Sequence, residues 1–264
     1  MTPMTNADAP VLVERDGAVA HLVLNRPQHL NAIDEAMAQA FASACTELAH
    51  DASVRAVVLR GAGRSFGAGG DLAAFRVAPQ AAALATIEPM HRGLRLLAAM
   101  DAPVIASLHG SVAGGSLSLA MGCDLAIAAD DARFNLAYIN VAASCDVGGS
   151  WHLPRLVGLR RAMQIALLGE TLGAAEALAM GLINRSVPAA ELVSSTQVLA
   201  QRLAAGPTLA HGRMKRLLRA SFDNDLSTQL DQERDAFQAS AGTQDFNEAL
   251  AAFFGRRKPT FTGR

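Results

Sequence analysis

Two glycine-rich turns constrain the fold of this chain more than any other feature: Ser65-Phe-Gly-Ala-Gly-Gly-Asp-Leu72 and His109-Gly-Ser-Val-Ala-Gly-Gly-Ser116. Each follows a short apolar, β-branched run and precedes a helix-like pattern. Each therefore reads as a strand-to-helix junction where glycine lets the main chain turn sharply and present its own N–H groups. Two such junctions facing one another would form a two-donor hole for an oxygen that gains charge during a reaction, which points to carbonyl chemistry. In the second turn Gly115 is the expected donor, backed by the positive end of the following helix. In the first it is Ala68, flanked by Gly67, Gly69 and Gly70, with Asp71 capping a helix behind it. Neither turn matches a Walker A loop or a complete dinucleotide fingerprint, and either alone reads equally well as a plain tight turn.

The surrounding pattern alternates strand and helix. Val11–Leu24 reads as a hairpin about Asp16-Gly17. Asp34 is placed to cap a helix running to about His50, with Ala36, Ala40, Phe41, Ala44 and Leu48 on its apolar face. Arg55–Arg60 reads as a buried strand entering the first glycine turn. A helix from about Leu84 to Ala99 then stops near Asp101-Ala-Pro103. Strand Val104–Leu108, the second turn, a helix through about Met121 and strand Leu125–Ala129 follow. Continuous apolar strands separated by helices imply right-handed parallel crossovers and an α/β core. Beyond about residue 155 the chain turns helical, with segments at 160–168, 174–180, 190–204, 207–220 and 226–240. Gly181 closes one of these from the C′ position. The division expected is a core over residues 1–200 and a helical region over 201–264.

Composition excludes several classes. A formal charge of -1 offers no field for nucleic acid and no polybasic membrane patch. The three cysteines, Cys45, Cys123 and Cys145, are widely spaced and suit a reducing cytoplasm, without a disulfide framework or a metal motif. Met1–Asp8 lacks the charged and apolar regions of an export signal. The apolar stretch 102–129 is interrupted by His109, its glycines, Ser116 and Asp124, so it reads as strand, turn, helix and strand rather than a membrane span. The basic tail Arg256–Arg264 reads as a solvated terminus or as a segment lying against a phosphate or a neighbouring subunit.

Several motifs together resemble the enoyl-CoA hydratase/isomerase (crotonase) superfamily: Leu24-Asn-Arg-Pro with Leu30-Asn-Ala, both glycine turns, Gly110–Asp124, Gly148-Gly with Leu153-Pro-Arg-Leu-Val-Gly158, Gly181-Leu-Ile and Pro259-Thr-Phe-Thr-Gly263. The resemblance covers essentially the whole chain. It implies a spiral of ββα units with a C-terminal helical trimerisation region, assembled as a homotrimer or a dimer of trimers. It also implies an acyl-CoA thioester whose carbonyl rests between the N–H groups of Ala68 and Gly115. The CoA moiety would lie near Arg26, Leu30, Ala32, Ala68 and Leu72, with Phe254 and Lys258 reaching in from a neighbour. No metal and no separate cofactor are implied, since CoA is part of the substrate.

Side chains then narrow the reaction. Hydratases of this superfamily use two glutamates, and the matching positions here hold Ser118 and Tyr138, neither of them a general base without its own activator. Asp146, in Ser144-Cys-Asp-Val-Gly-Gly-Ser-Trp151, is the carboxylate left in the neighbourhood. It matches the single acid of the Δ3,Δ2-enoyl-CoA isomerase and ring-epoxide isomerase branch, where it would move a proton through a thioester enolate. Its plain alternative is an N-cap of the helix around Trp151. His91 opens a rival, because aroyl-CoA dehalogenases pair a nucleophilic aspartate at the Asp146 position with a histidine there; otherwise His91 lines or flanks the acyl pocket. Tyr138 either shapes that pocket or bonds Asp146. Cys145 reads as a passive neighbour, and His109 and His152 as structural. Residues 75–90 are expected to cover the pocket. Hydration without the glutamates, and an acyl-CoA-binding paralogue without activity, remain alternatives.

Overall fold

A computed structural model describes residues 9–264; the reading of Met1–Asp8 lies outside them. The hairpin forms from β1 (Val11–Asp16) and β2 (Val19–Leu24). Asp16 pairs with Val19, so its loop is Gly17-Ala18, one residue later than expected. Gly17 takes φ +56°, the positive angle that puts glycine first in a two-residue loop. Asp34 caps α1 (Glu35–His50) by accepting the Met37 N–H at 2.8 Å. The buried face of α1 is Met37, Ala38, Phe41, Ala42, Ala44, Cys45 and Leu48, while Ala36 is exposed and Ala40 half-buried.

From β3 (Ala56–Gly61) the chain runs through a series of turns, not a helix, before α2 (Pro79–Ala99). The early start of α2 uses proline at its first position, where no N–H is needed. A second proline, Pro89, lies inside it and removes the hydrogen bond due to the carbonyl of Ala85. At Gly93 the two helices meet closely: a β-carbon there would fall 2.5 Å from the Phe41 ring.

Next come β4 (Val104–Leu108), β5 (Ser111–Ala113) and α3 (Gly114–Met121), in which every residue is buried. The second glycine pair does not precede its helix but opens it. After β6 (Leu125–Ala129) and β7 (Arg133–Asn135) follow α4 (Gly149–Val157), α5 (Leu159–Leu168), β8 (Leu172–Gly173), α6 (Ala174–Ala179) and β9 (Arg185–Val187). Gly181, at φ +80°, donates to the Leu178 carbonyl while Leu182 donates to Ala177, a double closure of α6. The main sheet has the order β1-β2-β3-β4-β6-β9, parallel from β2 onward, and β5, β7 and β8 form a small second sheet.

Helix α7 (Leu192–Ala204) lays Ala200 and Ala204 on Val19, Ala56, Val58 and Ile105. It runs straight through residue 200, where the sequence suggested a division. Helices α8 (Thr208–Ala220), α9 (Leu226–Ala241) and α10 (Gln244–Phe254) complete the chain, the last unanticipated. Among the described residues no helix is long and apolar enough to cross a membrane.

Candidate active site

The two glycine turns touch through their main chains. A β-carbon on Gly69, at φ +92°, would lie 3.1 Å from the Ala113 carbonyl oxygen and 3.4 Å from the Gly115 nitrogen, so this contact requires glycine. Ala113 donates to the Gly67 carbonyl at 2.9 Å and Gly67 to that of Ser111 at 3.0 Å. Ser116, fully buried in the first turn of α3, accepts the Gly69 N–H at 3.2 Å and clasps the turns together. Behind the first turn sits Asn31, also fully buried and at φ +54°, a conformation asparagine tolerates better than most residues. Its amide donates to the carbonyls of Ala62 and Ser65 at 2.9 and 2.8 Å, and its Oδ1 accepts the Arg26 N–H. Neither Asn31 nor Ser116 was singled out for a role from the sequence.

The Ala68 N–H points at the Leu30 carbonyl, 3.0 Å away, and is therefore not open to a ligand. Two residues on, Ile33 donates to Gly69 and Asp71 donates to Ile33. A parallel bridge of this kind turns the intervening Gly70 N–H outward, and Gly70 has no acceptor among the described residues. Gly115 is the second residue of α3, where helix geometry supplies no acceptor. Gly70 and Gly115 both line a cavity of about 680 Å³, as do Ala68 and Gly69.

Among the described residues Asp146 is the one carboxylate lining that cavity. A β-carbon on Gly115 would stand 3.5 Å from its Oδ1 and 3.7 Å from Tyr138 Oη. Tyr138 donates to Asp146 Oδ1 in a short hydrogen bond, and its oxygen also lies 3.0 Å from Ser118 Oγ. Asp146 does not cap α4 with its side chain. Gly148 holds that position, and only the Asp146 carbonyl is engaged, by the Gly149 N–H at 2.9 Å. Burial pushes the Asp146 carboxyl above the usual carboxylate range, opposed in part by the Tyr138 hydrogen bond. Burial, and then the Asp146 charge, push the Tyr138 phenol up, so Tyr138 is a donor that keeps its proton. Between Asp146 and Gly149 both central residues have positive φ, Val147 +49° and Gly148 +77°. A β-branched residue in that region is an outlier costing on the order of 1–3 kcal/mol.

A model of the enoyl-CoA hydratase/isomerase family matches residues 14–264. The chain belongs to the enoyl-CoA hydratase/isomerase family. It is 37% identical over 258 residues to the 1,2-epoxyphenylacetyl-CoA isomerase of Escherichia coli K12, covering 96% of this chain and 98% of that one. It is 32% identical to the short-chain-enoyl-CoA hydratase of Clostridium acetobutylicum, over 94% of this chain and 95% of the relative. A crystal structure of an enoyl-CoA hydratase from Mycobacterium smegmatis superposes with a TM-score of 0.90 at 33% identity, covering 96% and 98% of the two chains. The α/β architecture with its C-terminal helices is thus the crotonase fold.

Of the two positions at which the family's hydratases carry glutamate, Ser118 is fully buried beneath Gly149, whose added β-carbon would fall 2.5 Å from Ser118 Oγ. The other, Tyr138, faces Asp146. His91 is not among the residues lining the cavity. It stands behind the Asp146 turn, where its Nε2 accepts the Val147 N–H at 3.1 Å. In that contact the Nε2 lone pair is taken up by the Val147 N–H. Phe75, Pro79, Ala83 and Ile87 form the opposite wall, so the start of the 75–90 segment does border the cavity.

Arg26 presents no free cation. It pairs with Asp34 at 3.0 Å and Asp71 at 3.2 Å and donates to the Ala32 carbonyl, contacts that tie it to the first glycine loop. Asp71 thus holds the loop through Arg26 and an Ala73 N–H, with no helix directly behind it to cap. Leu30 contributes its carbonyl to Ala68, and Leu72 is 59% exposed at the cavity rim. Phe254 and Lys258 are exposed and do not line the cavity of their own protomer. His109 bonds the Gly63 carbonyl at 3.0 Å, and burial holds His152 down at about 4, neutral against Trp151. Burial raises the Cys145 thiol, which keeps its proton.

Proposed function

We propose that this crotonase is an acyl-CoA isomerase that shifts a double bond by moving one proton through a thioester enolate. The observation that carries this reading is a single carboxylate, Asp146, standing beside Gly115 on a cavity that Gly70 also lines. The thioester oxygen accepts hydrogen bonds from Gly70 and Gly115, each donor worth about 3 kcal/mol to the transition state. Asp146 takes a proton from the α carbon, and the C–H electron pair moves into the enolate. When the enolate collapses, the new double bond forms between the α and β carbons, and the former β,γ pair takes the proton back from Asp146 at the γ carbon. Nothing is added or lost, so one acid that serves also as the base suffices. A carboxyl raised by burial is better matched to both halves of the cycle than an ordinary one.

Hydration would need a second group to hold and polarise water, and Ser118 and Tyr138 are already bonded to each other. The dehalogenase reading would need a free base at His91, whose Nε2 lone pair serves Val147. The reading assigns no metal and no separate cofactor, a CoA thioester as substrate, a homotrimer or dimer of trimers in which Phe254 and Lys258 approach a neighbour's CoA, and a cytoplasmic setting. The test is α- and γ-proton exchange in deuterated water across a panel of acyl-CoA thioesters. Asp146→Asn abolishes exchange while CoA-ester binding survives; a fully active variant sinks the reading.

A further inference from the structure

His91 packs against the turn that follows Asp146, a turn that its own sequence disfavours. Gly149 donates to the Asp146 carbonyl, and between them Val147 and Gly148 both adopt positive φ. Such a turn ordinarily uses glycine, asparagine or aspartate at both central positions. Here valine occupies the first, with its side chain buried in the core. The Val147 N–H therefore points away from the cavity toward α2, and the acceptor that meets it is His91 Nε2 at 3.1 Å. Without that acceptor a buried amide would go unpaired in a conformation valine already resists. The carboxyl of Asp146, one residue earlier, takes its direction from this turn.

We propose that His91 is a positioning residue: its Nε2 lone pair, by accepting the Val147 N–H, holds the left-handed turn that aims Asp146 at the glycine pair. His91 acts through the backbone and exchanges no proton with substrate. This rests on the reading of Asp146 as the acid–base group, and it separates His91 from the two roles its sequence position suggested, a water-activating base and a wall of the acyl pocket.

Substitution by glutamine is the discriminating experiment, because the glutamine Oε1 reaches about as far as His Nε2 and accepts a hydrogen bond but cannot act as a base. His91→Ala lowers kcat for α-proton exchange about ten- to a hundredfold with KM little changed, the size expected for an ångström-scale misplacement of a reacting group. His91→Gln recovers most of that loss. Val147→Gly added to His91→Ala recovers part of it, since glycine holds positive φ unaided. Amide hydrogen exchange at residue 147 reports the same contact independently of activity: it speeds at least tenfold in His91→Ala and returns toward the parent rate in His91→Gln.

Three results would overturn the proposal: His91→Gln as impaired as His91→Ala, a rise in KM at unchanged kcat, or an unchanged amide rate at residue 147 in His91→Ala. Full proton exchange by Asp146→Asn would remove the functional reading instead, and the amide measurement would still decide whether His91 holds the turn.

Discussion

Removing one oxygen atom, in Tyr138→Phe, probes the electrostatics of the site most directly. The Tyr138 hydroxyl donates to Asp146 Oδ1 and also meets Ser118 Oγ at 3.0 Å. A hydrogen bond to a charged group contributes about 1.5–3 kcal/mol, so its loss disfavours the ionised form by about that much and raises the Asp146 pKa. The direction adds to the upward push that burial already exerts. Asp146 must be ionised to take the α proton, so activity falls as pH drops through its pKa. In Tyr138→Phe that acid limb moves to higher pH. Well above the limb, the variant's carboxylate is the stronger base and loses little rate. The assay is deuterium incorporation at the α carbon, followed as kcat/KM across the acid and neutral range, with Tyr138→Phe/Ser118→Ala as a control that removes the orphaned serine hydroxyl. An acid limb that stays put, or that moves to lower pH, refutes the assignment of Tyr138 as donor to an ionised Asp146.

The C-terminal helices are fastened to the core by Asp124, which pairs with Lys215 at 2.7 Å and Arg219 at 2.8 Å. Asp124→Ala leaves the buried Lys215 ammonium without its counter-charge and costs about 3–5 kcal/mol in urea denaturation, part of which Lys215→Met restores. His152 gives a separate pH signature. Burial holds it at about 4 in the folded chain against an ordinary 6.5, so the unfolded chain takes up the proton first. Its neutrality costs nothing above pH 6.5 and an increasing amount down to about 4. Thermal denaturation of His152→Leu across that window shows a shallower loss of stability on acidification than the parent.

The glycine turns and the acid were readable because glycine clusters and carboxylates are local features of a sequence. Which N–H a glycine turn leaves open is not local. Sequence pointed to Ala68 as the donor of the first turn, and the Leu30 carbonyl that meets its N–H arrives from another loop. The Asp146 turn was equally opaque, since valine is among the last residues expected at positive φ and its presence there depends on a helix more than fifty positions earlier in the chain. The parallel crossovers followed from apolar runs between helices, whereas α10 went unread although Phe246, Leu250 and Phe253 recur on it at helical spacing. Asn31 and Ser116 went unassigned because a buried amide or hydroxyl declares its role only through partners remote in sequence.

The proline within α2 gives the two walls of the cavity different mechanical stiffness. Downstream of Pro89, the helix is fixed by buried Met90, Gly93 and Leu97, with Gly93 seated on Phe41. Upstream, Pro79, Ala83 and Ile87 face the cavity, Leu84 is 60% exposed, and the missing bond to the Ala85 carbonyl lowers resistance to bending. The facing wall of glycine turns is laced by main-chain bonds and does not yield. An acyl group longer than the cavity would, under the proposed reaction, press on the upstream half of α2 before it met the glycine turns. Under the proposed reaction, tolerance of acyl length and strictness of carbonyl placement follow from one helix that is compliant at one end and rigid at the other.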